Sequence, residues 1–373
     1  MSSDPRQRRP QRIAVLPGDG TGKDVTAEAV KVLEAMAEAW NLPIELVHFP
    51  WSADHYLATG ETLPAGALDD FRENYSAILI GAFGDPRVPD MRHAADILLG
   101  IRFQLDLYVN LRPVKLYHPA HCPIKDKTEK DVDFVVFREN TEGAYVNVGG
   151  NFKKGTPDEV AVQEEIHTRK GVERILRAAF EYAVEHGRRE VCMSDKSNVM
   201  RYGHDLWQRC FAEVGAEYPQ IKSRHLYVDV LALQMVKAPE SFDVIVTNNM
   251  FGDIVTDLDA ALQGGLGVAA SANVHPGRVS MFEPVHGSAP AFAGTGRANP
   301  VGALLSSSLM LDFLGHAEAA KALEDAVARS MREGQTTPDL GGSLTTSGVG
   351  DLIAREVSRL PVSGMAGISG AAG

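Results

Sequence analysis

The sequence predicts an α/β protein of two domains, and three observations support this prediction. Short apolar runs such as YSAILIGAFG and FDVIVTNN alternate with amphipathic segments, as buried strands alternate with helices. The apolar runs end in Gly or polar residues, where α/β proteins tend to carry their functional loops. The length of 373 residues, with 44% hydrophobic content, exceeds the size at which one core usually stops growing.

Composition and charge exclude several functional classes. The formal net charge of −12 disfavours nucleic acid or an anionic membrane as the main partner, because both would need a basic face. The longest uncharged segment, residues 260–277, contains Gly, Asn, His and Pro, which disqualifies it as a membrane span. The three cysteines have no C-x-x-C spacing, so neither a disulfide framework nor a zinc site is indicated, and a cytoplasmic location is expected.

Both ends of the chain are predicted to be disordered. Residues 1–11 are basic and lack the apolar region of a signal peptide. Residues 361–373, PVSGMAGISGAAG, are rich in Gly, Ala and Ser. We therefore expect the ordered protein to lie between these two tails.

The first ordered element is a strand, RIAVL, followed by a Gly-rich turn and a helix. The helix is predicted over DVTAEAVKVLEAMAEAW because apolar residues recur at helical spacing. These residues are Val25, Ala29, Val32, Leu33 and Met36. The turn LPGDGTGKDV fits neither nucleotide-binding pattern, since Pro17 and Asp24 break the Walker A spacing and Lys23 stands where the dinucleotide motif needs Gly.

A second helix is predicted in ANPVGALLSSSLMLDFLG. Asn299 is expected as its N-cap and Pro300 as its first helical residue. The helix is almost uncharged, so we expect it in a core or a subunit interface.

The stretch MFGDIVTDL places Asp253 and Asp257 four residues apart, on one face of a predicted helix, with Asp259 turned off that face. One interpretation is a helix N-terminal acid followed by an exposed carboxylate. Two like charges at this spacing repel, however, and no Lys or Arg lies between Lys237 and Arg278 to neutralise them. A divalent cation that prefers oxygen ligands, Mg²⁺ or Mn²⁺, would satisfy the pair.

Two further groups of residues indicate chemistry at strand ends. Arg102, Arg112 and Arg138 could bind a substrate with two carboxylates, although surface arginines are commonly only solvated. Lys196 follows an apolar strand ending at Met193 and could act as a base, or could simply pair with Asp195. Asp229 lies within the apolar run LYVDVLALQMV and could be a third metal ligand.

Together these motifs resemble the β-decarboxylating dehydrogenases, the family of isocitrate, 3-isopropylmalate, homoisocitrate, tartrate and D-malate dehydrogenases. The resemblance covers about residues 12–355. It rests on LPGDGTG, R-x9-R-P from Arg102 to Arg112, RENTEGAY, DKSN, YVD, NMFGDIVTD, FEPVHGSAP, ANP and PDLGG. It implies the fold of this family, an α/β fold with a large mixed sheet rather than the usual Rossmann fold.

The resemblance also implies domains and roles. Residues 1–107 with 265–373 would form the cofactor-side domain, and residues 108–264 the second domain with the interface of a homodimer. Tyr145 resembles the general acid and Lys196 the base, with Lys196 and Asp229 reaching the site from the partner subunit. The implied ligands of Mg²⁺ or Mn²⁺ are Asp229, Asp253 and Asp257. The implied substrate-binding residues are Arg102, Arg112, Arg138, Leu98, Leu99 and Asn198.

The cofactor segment resembles the family's FEPVHGSAP loop but departs from it in one respect. The residues that match are Glu283, His286, Gly287, Ser288, Ala289, Ala298, Asn299 and Asp339. NAD-dependent members usually carry Asp after HGSAP, and NADP-dependent members carry Lys-Tyr. This chain has Ala291 and Phe292 there, with Arg297 as a conceivable phosphate partner. Ala298 resembles the NAD branch, so NAD is favoured and NADP stays open.

The substrate is expected to be a malate-type 2-hydroxy acid. Leu98 and Leu99 share a helix face with Arg102, which favours the isopropyl group of 3-isopropylmalate. However, VNLRPVKLY and VGGNFKKGT look closer to the D-malate and tartrate branch, and Ala95 replaces the Glu usual in isopropylmalate enzymes. Isocitrate and homoisocitrate enzymes are further alternatives, although Leu98 and Leu99 stand where those enzymes carry Asn and an additional Arg.

A non-catalytic regulatory subunit of the same family is the alternative from another functional class. Loss of Tyr145, Lys196 or an Asp ligand would indicate it, and all of these residues are present.

Overall fold

A computed structural model describes residues 10–359, and these fall into two compact units. Unit 1 contains the residues up to Ala95 and those from Met281, and unit 2 contains Asp96–Ser280. The predicted disorder of residues 1–11 and 361–373 lies outside the described residues except at Pro10 and Gln11, and Gln11 begins the first strand. The domain boundaries at 107 and 265 stay a prediction.

The structure is a mixed α/β fold, as predicted. Its strands are β1 Gln11–Leu16, β2 Ile44–His48, β3 Ala77–Ile80, β4 Val109–Lys115, β5 Asp133–Glu139, β6 Gly149–Phe152, β7 Val160–Gln163, β8 Glu190–Asp195, β9 Lys222–Tyr227, β10 Val244–Thr247, β11 Ala270–Val274 and β12 Ser280–Pro284. Its helices are α1 Thr21–Trp40, α2 Ala53–Thr59, α3 Ala67–Asn74, α4 Arg92–Gln104, α5 Arg169–Glu185, α6 Gly203–Ala216, α7 Val228–Lys237, α8 Asn249–Gln263, α9 Val301–Phe313, α10 Ala317–Arg332 and α11 Thr346–Arg359.

Ten strands form one large mixed sheet. Unit 1 contributes β2-β1-β3-β12 and unit 2 contributes β11-β4-β5-β10-β8-β9, each in that spatial order. In unit 2, β4 pairs antiparallel with both β5 and β11, whereas β5, β10, β8 and β9 are parallel. Since the carboxyl ends of parallel strands lie at one edge of a sheet, the residues that end β5, β8 and β10 are brought to the same side. The strands β6 and β7 form a separate antiparallel ribbon.

The strand, turn and helix predicted at the start of the chain are confirmed. The five apolar residues of α1 are completely buried, and burying each of the larger side chains stabilises the fold by roughly 1.5–3 kcal/mol. The helix begins at Thr21, inside the Gly-rich turn, rather than at Asp24. Asp19 fixes this turn because its carboxylate accepts the backbone N–H groups of Ala53 and Gly84.

The uncharged helix α9 lies in the core, but its predicted start was wrong by one residue. Pro300 is the N-cap and Val301 the first helical residue. Asn299 lies one position further out, yet its Oδ1 still accepts the N–H of Val301 at 3.0 Å. Asn299 thus contacts the start of the helix through its Oδ1 and Asp339 through its Nδ2, while Pro300 occupies the N-cap position.

None of the helices between residues 10 and 359 combines the length and apolar character that a membrane crossing requires.

Candidate active site

Helix α8 carries the centre of the candidate site in unit 2. Asn248 caps it, accepting the N–H of Phe251 at 2.8 Å, so the helix begins where β10 ends. One turn later the carboxylate of Asp253 contacts the Arg138 guanidinium and accepts a hydrogen bond from the Tyr145 hydroxyl at 2.6 Å. Arg112 Nη2 lies 3.7 Å from the same carboxylate. The structure thus brings together four residues predicted from three separate motifs, R-x9-R-P, RENTEGAY and NMFGDIVTD.

The arginines keep Asp253 negatively charged. Burial alone would raise the pKa of Asp253, but Arg138, the Tyr145 hydroxyl, Arg112 and Arg102 together hold that pKa below its ordinary value. The three positive charges also exceed the single negative charge that they surround. The arrangement therefore provides guanidinium groups that suit an anionic ligand.

The interpretation of Arg112 and Arg138 as solvated surface residues is wrong. Both are buried, Arg138 with 1% and Arg112 with 7% of its surface exposed. Arg138 donates from Nε and Nη2 to Asn249 Oδ1 at 3.0 and 2.7 Å, and Arg112 Nη1 donates to Thr256 Oγ1 at 2.5 Å. These contacts fix the direction in which each guanidinium points.

Asn249 and Thr256 were not predicted as orienting residues. Their signal was their spacing, since they lie four residues before and three after Asp253 and so share its helix face. Gly252, directly before Asp253, also has a role in the structure. A Cβ at Gly252 would lie 2.5 Å from Arg138 Cγ, so the absence of a side chain there lets the buried arginine pass the helix.

Tyr145 lies in the short 3₁₀ turn Ala144–Val146, which follows the RENTEG segment. Burial, and then the hydrogen bond to the Asp253 carboxylate, raises the pKa of Tyr145. The Arg138 guanidinium lies 5.2 Å from the centre of the Tyr145 ring. The hydroxyl is therefore protonated at neutral pH and can donate a proton.

Lys196 and Asp229 form a second cluster. Lys196 follows β8 directly, and its Nζ donates to Asp229 Oδ1 at 2.5 Å. The alternative pairing with Asp195 is wrong, because Asp195 instead accepts hydrogen bonds from Gln208 and His225. Asp229 is exposed in the first turn of α7 despite its apolar sequence neighbours, and the hydrogen bond from Lys196 lowers the pKa of Asp229.

The carboxylates of unit 2 fit a divalent cation by their chemistry. Asp253 and Asp257 lie one turn apart on α8, as predicted, and Asp257 is exposed. The pKa of Asp253 is lowered, so its carboxylate is charged. Its side chain is 43% exposed, so the lone pairs that the arginines and Tyr145 do not use are accessible to a cation. Carboxylate oxygens are the ligands that Mg²⁺ and Mn²⁺ prefer.

The remaining predicted substrate residues lie on α4 and after β8. Leu98 and Leu99 are half-buried and precede Arg102 by four and three residues, on one face of α4. Arg102 acts on Asp253 through its charge, as described above. Asn198 is exposed in the turn that follows Lys196.

The predicted cofactor residues lie in unit 1, where the Gly-rich turn holds their loop. The N–H and hydroxyl of Thr21 donate to the Ser288 carbonyl at 2.7 and 3.0 Å. A Cβ at Gly20, whose φ is +53°, would lie 2.1 Å from that carbonyl oxygen, so Gly is required there. The turn that failed both nucleotide patterns therefore supports the loop FEPVHGSAP. Within this loop, Ala289 adopts a φ of +34°.

The loop has polar groups that fit an adenosine. Burial lowers the pKa of His286, and within residues 10–359 its Nε2 is buried without a hydrogen-bond partner. Asn299 Nδ2 donates to Asp339 Oδ2 at 2.9 Å. Glu283 is buried in β12, whereas Gly287 and Ala291 are exposed and Ala298 is half-buried.

Phe292, one of the two residues that differ from both cofactor branches, pairs with Arg297 at the surface. Phe292 is 47% exposed, and the Arg297 guanidinium lies 5.6 Å from the centre of its ring. Arg297 is thus held against an aromatic face at the edge of the loop.

One cluster of side chains in unit 2 was not predicted from the sequence. Glu165, His167 and His204 place one ligand atom each within 4.8 Å of one another. Glu165 and His204 are 39 residues apart in sequence and no short spacing motif joins all three residues, so the sequence offered no signal.

The comparisons with known proteins agree with the geometry. A family model described as isocitrate/isopropylmalate dehydrogenase matches residues 12–353. A 3-isopropylmalate dehydrogenase of Thermobifida fusca (strain YX) is 46% identical over 352 residues, which are 94% of this chain and 98% of that one. A D-malate dehydrogenase (decarboxylating) of Escherichia coli (strain K12) is 41% identical over 360 residues, covering 93% and 99%. The crystal structure of an isocitrate dehydrogenase from Methylococcus capsulatus superposes with a TM-score of 0.83 at 34% identity, covering 94% and 100%.

Proposed function

The chain belongs to the isocitrate/isopropylmalate dehydrogenase family, and from this premise we propose that it oxidises and decarboxylates 3-isopropylmalate to 2-oxo-4-methylpentanoate in leucine biosynthesis. The observation that carries the proposal is the set of three arginines with Tyr145 around Asp253, together with a leucine pair on α4, the helix that carries Arg102. The arginines suit a dicarboxylate, and the leucines suit an apolar third substituent. Several relatives that are 43–46% identical are named 3-isopropylmalate dehydrogenases, which supports this choice.

Substrate binding uses charge and apolar burial together. Arg102, Arg112 and Arg138 bind the two carboxylates, and the fixed guanidiniums of the last two set their orientation. Leu98 and Leu99 receive the isopropyl group, whose burial contributes about 2 kcal/mol.

The chain supplies a proton acceptor and a proton donor. Lys196, directly or through water, accepts the proton of the C2 hydroxyl. The nicotinamide cofactor, when bound, would supply the acceptor for the C2 hydride. The bond from C3 to its carboxylate then breaks, CO₂ leaves, and the electron pair forms an enolate. Tyr145 donates its proton to C3, which gives the 2-oxo acid. The raised pKa of Tyr145 keeps that proton available.

The cation would be held by Asp253 and Asp257, with Asp229 from the partner subunit. When bound, Mg²⁺ or Mn²⁺ supplies positive charge that favours the deprotonated hydroxyl and the enolate.

NAD is the proposed cofactor, and NADP is the alternative. Asn299, Asp339 and the buried Nε2 of His286 would face the adenosine. Ala291 and Phe292 supply neither usual determinant, so kcat/KM for NAD⁺ and NADP⁺ decides the question. A preference for NADP⁺ that Arg297→Ala abolishes would reverse the proposal and identify Arg297 as the phosphate partner.

A homodimer is the proposed assembly, and the cytoplasm is the proposed location. The support for a dimer is a set of exposed apolar side chains in unit 2, which a partner subunit would bury. They are Phe152, Val160, Val162, Leu233, Val236 and Ile254.

D-malate or tartrate is the second candidate substrate. The 41% identical D-malate dehydrogenase supports it, together with the motifs VNLRPVKLY and VGGNFKKGT. Isocitrate is less well supported, because an apolar leucine pair offers its third carboxylate no partner.

The deciding experiment is a substrate panel. We expect 3-isopropylmalate to exceed D-malate, tartrate and isocitrate by at least about 10-fold in kcat/KM with Mn²⁺ and NAD⁺, since contacts of methylene size discriminate by about 1–3 kcal/mol. A lead for D-malate or tartrate would favour the second candidate. Absence of turnover with all four acids would support a regulatory subunit instead.

A further inference from the structure

Glu165, His167 and His204 form a buried cluster beside the segment that carries Lys196. The side chains of His167 and His204 are 2% and 0% exposed, and that of Glu165 is 11% exposed. Glu165 and His167 precede α5, whereas His204 is the second residue of α6. Two imidazoles and a carboxylate could in principle bind a transition metal ion.

The hydrogen bonds of the two rings fix where their protons lie. The indole N–H of Trp207 donates to His167 Nδ1 at 3.2 Å, and the backbone N–H of Lys196 donates to His204 Nδ1 at 2.7 Å. Both donors lack a lone pair, so each Nδ1 must be the unprotonated nitrogen. The neutral rings therefore carry their protons on Nε2.

Both protonated nitrogens face Glu165. His167 Nε2 lies 3.1 Å from Glu165 Oε1, and His204 Nε2 lies 3.6 Å from Oε2. The Oδ1 of Asn248 is occupied by the cap of α8, so its Nδ2 faces the cluster, where it donates to Glu165 Oε1 at 3.1 Å and lies 3.2 Å from His204 Nε2. Because the Lys196 N–H fixes the ring proton on Nε2, that nitrogen cannot accept from the amide, and Glu165 is the acceptor that its N–H faces. Burial alone would raise the pKa of Glu165, but His167 and His204 bring that pKa to about 2, so the carboxylate is charged.

This proton arrangement opposes metal binding. A metal ion would need the Nε2 lone pair of each ring, which would move the protons to Nδ1. A proton on either Nδ1 would face the N–H group of Trp207 or Lys196, so two donors would point at each other. The cluster instead places one buried negative charge against two imidazole N–H groups.

We propose that Glu165 and His204 are positioning residues for Lys196. Glu165 holds His204 in the Nε2–H form, and His204 Nδ1 then accepts the Lys196 backbone N–H. This anchors the turn between β8 and α6 at the residue whose Nζ must meet the substrate hydroxyl. The ring of His204 is also held edge-on against Phe251 of α8, at 5.6 Å between centroids. The inference rests on the proposed role of Lys196 as the proton acceptor.

The kinetic test uses a matched pair of substitutions at one position. The side-chain oxygen of Asn can accept the Lys196 N–H where His204 Nδ1 now does, whereas Leu cannot. We expect His204→Leu to lower kcat by about 10-fold or more with little change in substrate KM, as loss of an outer partner commonly does. We expect His204→Asn to recover most of that loss and Glu165→Gln to fall between them. His186→Leu, an exposed histidine at the end of α5, serves as the control.

A second measurement does not depend on activity. In protein labelled with ¹⁵N-histidine, we expect His204 and His167 to show protonated Nε2 and unprotonated Nδ1, and Glu165→Gln to populate the other form of His204.

Equal kcat for the Asn and Leu variants in an active enzyme would overturn the positioning role. A shift of both Nε2 resonances on adding one equivalent of Zn²⁺ would overturn the proton assignment. A wild-type protein that turns over no 2-hydroxy acid would contradict the proposed function. The tautomer measurement would still test the proton positions on His204 and His167, because it does not require activity.

Discussion

Asp253 and the two buried arginines beside it stabilise one another's charges. Arg138 and Arg112 are buried guanidiniums, and the Asp253 carboxylate offsets part of the cost of burying them. In return they hold the pKa of Asp253 low, so the carboxylate stays charged well below neutral pH. A cation and an anionic substrate would therefore meet a carboxylate and arginines that are already oriented.

Replacing Asp253 by Asn should remove turnover. A neutral amide cannot replace a charged oxygen ligand, and the loss should exceed the roughly 10–100-fold that removal of an outer partner costs. The measurement is kcat across a Mn²⁺ titration. Asp259→Asn is the matched control, since it makes the same change on the same helix and should keep most of the activity. Superimposable Mn²⁺ titrations for wild type and Asp253→Asn would refute the metal assignment.

Asp259, on the same helix, has the opposite pKa shift from Asp253. It is completely buried, and within the described residues neither of its carboxylate oxygens has a hydrogen-bond partner. Burial raises the pKa of Asp259 well above its ordinary value. The folded protein therefore holds a proton there that the unfolded chain releases from about pH 4 upward.

This raised pKa predicts that Asp259 lowers the stability as the pH rises. Between the unfolded and folded pKa values the folded state binds more protons, so the free energy of unfolding falls by up to about 1.4 kcal/mol per pH unit. Asp259→Asn removes this dependence and should be increasingly stabilising from pH 5 to pH 7. Urea unfolding in EDTA measures it, with the exposed Asp312→Asn as control. A stability difference that is the same at both pH values would contradict the raised pKa.

At the scale of elements, the sequence predicted the helices and strands that have a clear apolar pattern and end in Gly or polar residues. The helix α1 follows from its apolar spacing, the strands β3 and β10 follow from their apolar runs, and the face of α8 follows from the i, i+4 rule. The start of α9 was wrong because two capping signals, Asn299 and Pro300, are adjacent and a local rule cannot rank them. The cluster around Glu165 was missed because it joins α6 to a loop that is distant in sequence.

The face of α4 predicts substrate selectivity. If Leu98 and Leu99 receive the isopropyl group, Leu98→Ala should erase much of the lead of 3-isopropylmalate over D-malate, since this truncation removes apolar contact worth about 1–3 kcal/mol. The measurement is the ratio of kcat/KM for the two acids. Leu57→Ala, at an exposed leucine of α2, should leave the ratio unchanged. An equal loss for both acids would show that Leu98 supports the fold and not the selectivity.

At the scale of the whole molecule, the two clusters of unit 2 raise the question of assembly. Arg112, Arg138, Tyr145 and Asp253 are joined to one another, and Lys196 is joined to Asp229. Both clusters are needed for the proposed reaction. Apolar side chains stay exposed on α7, α8 and the β6–β7 ribbon, with Phe152, Ile254 and Leu233 each more than 60% exposed. A homodimer that buries these residues could bring the Lys196 of one subunit to the Tyr145 of the other.

Hybrid dimers test this arrangement directly. Lys196→Met and Tyr145→Phe should each inactivate the homodimer. A hybrid with one subunit of each kind, purified through two different tags, should recover about half of the wild-type activity, because one of its two shared sites would contain both native residues. A hybrid of Tyr145→Phe with Asp253→Asn is the matched control and should stay inactive, since both residues belong to the same cluster of one chain. An inactive Lys196→Met and Tyr145→Phe hybrid, or a wild-type protein that elutes as a monomer, would show that Lys196 does not act across a subunit interface.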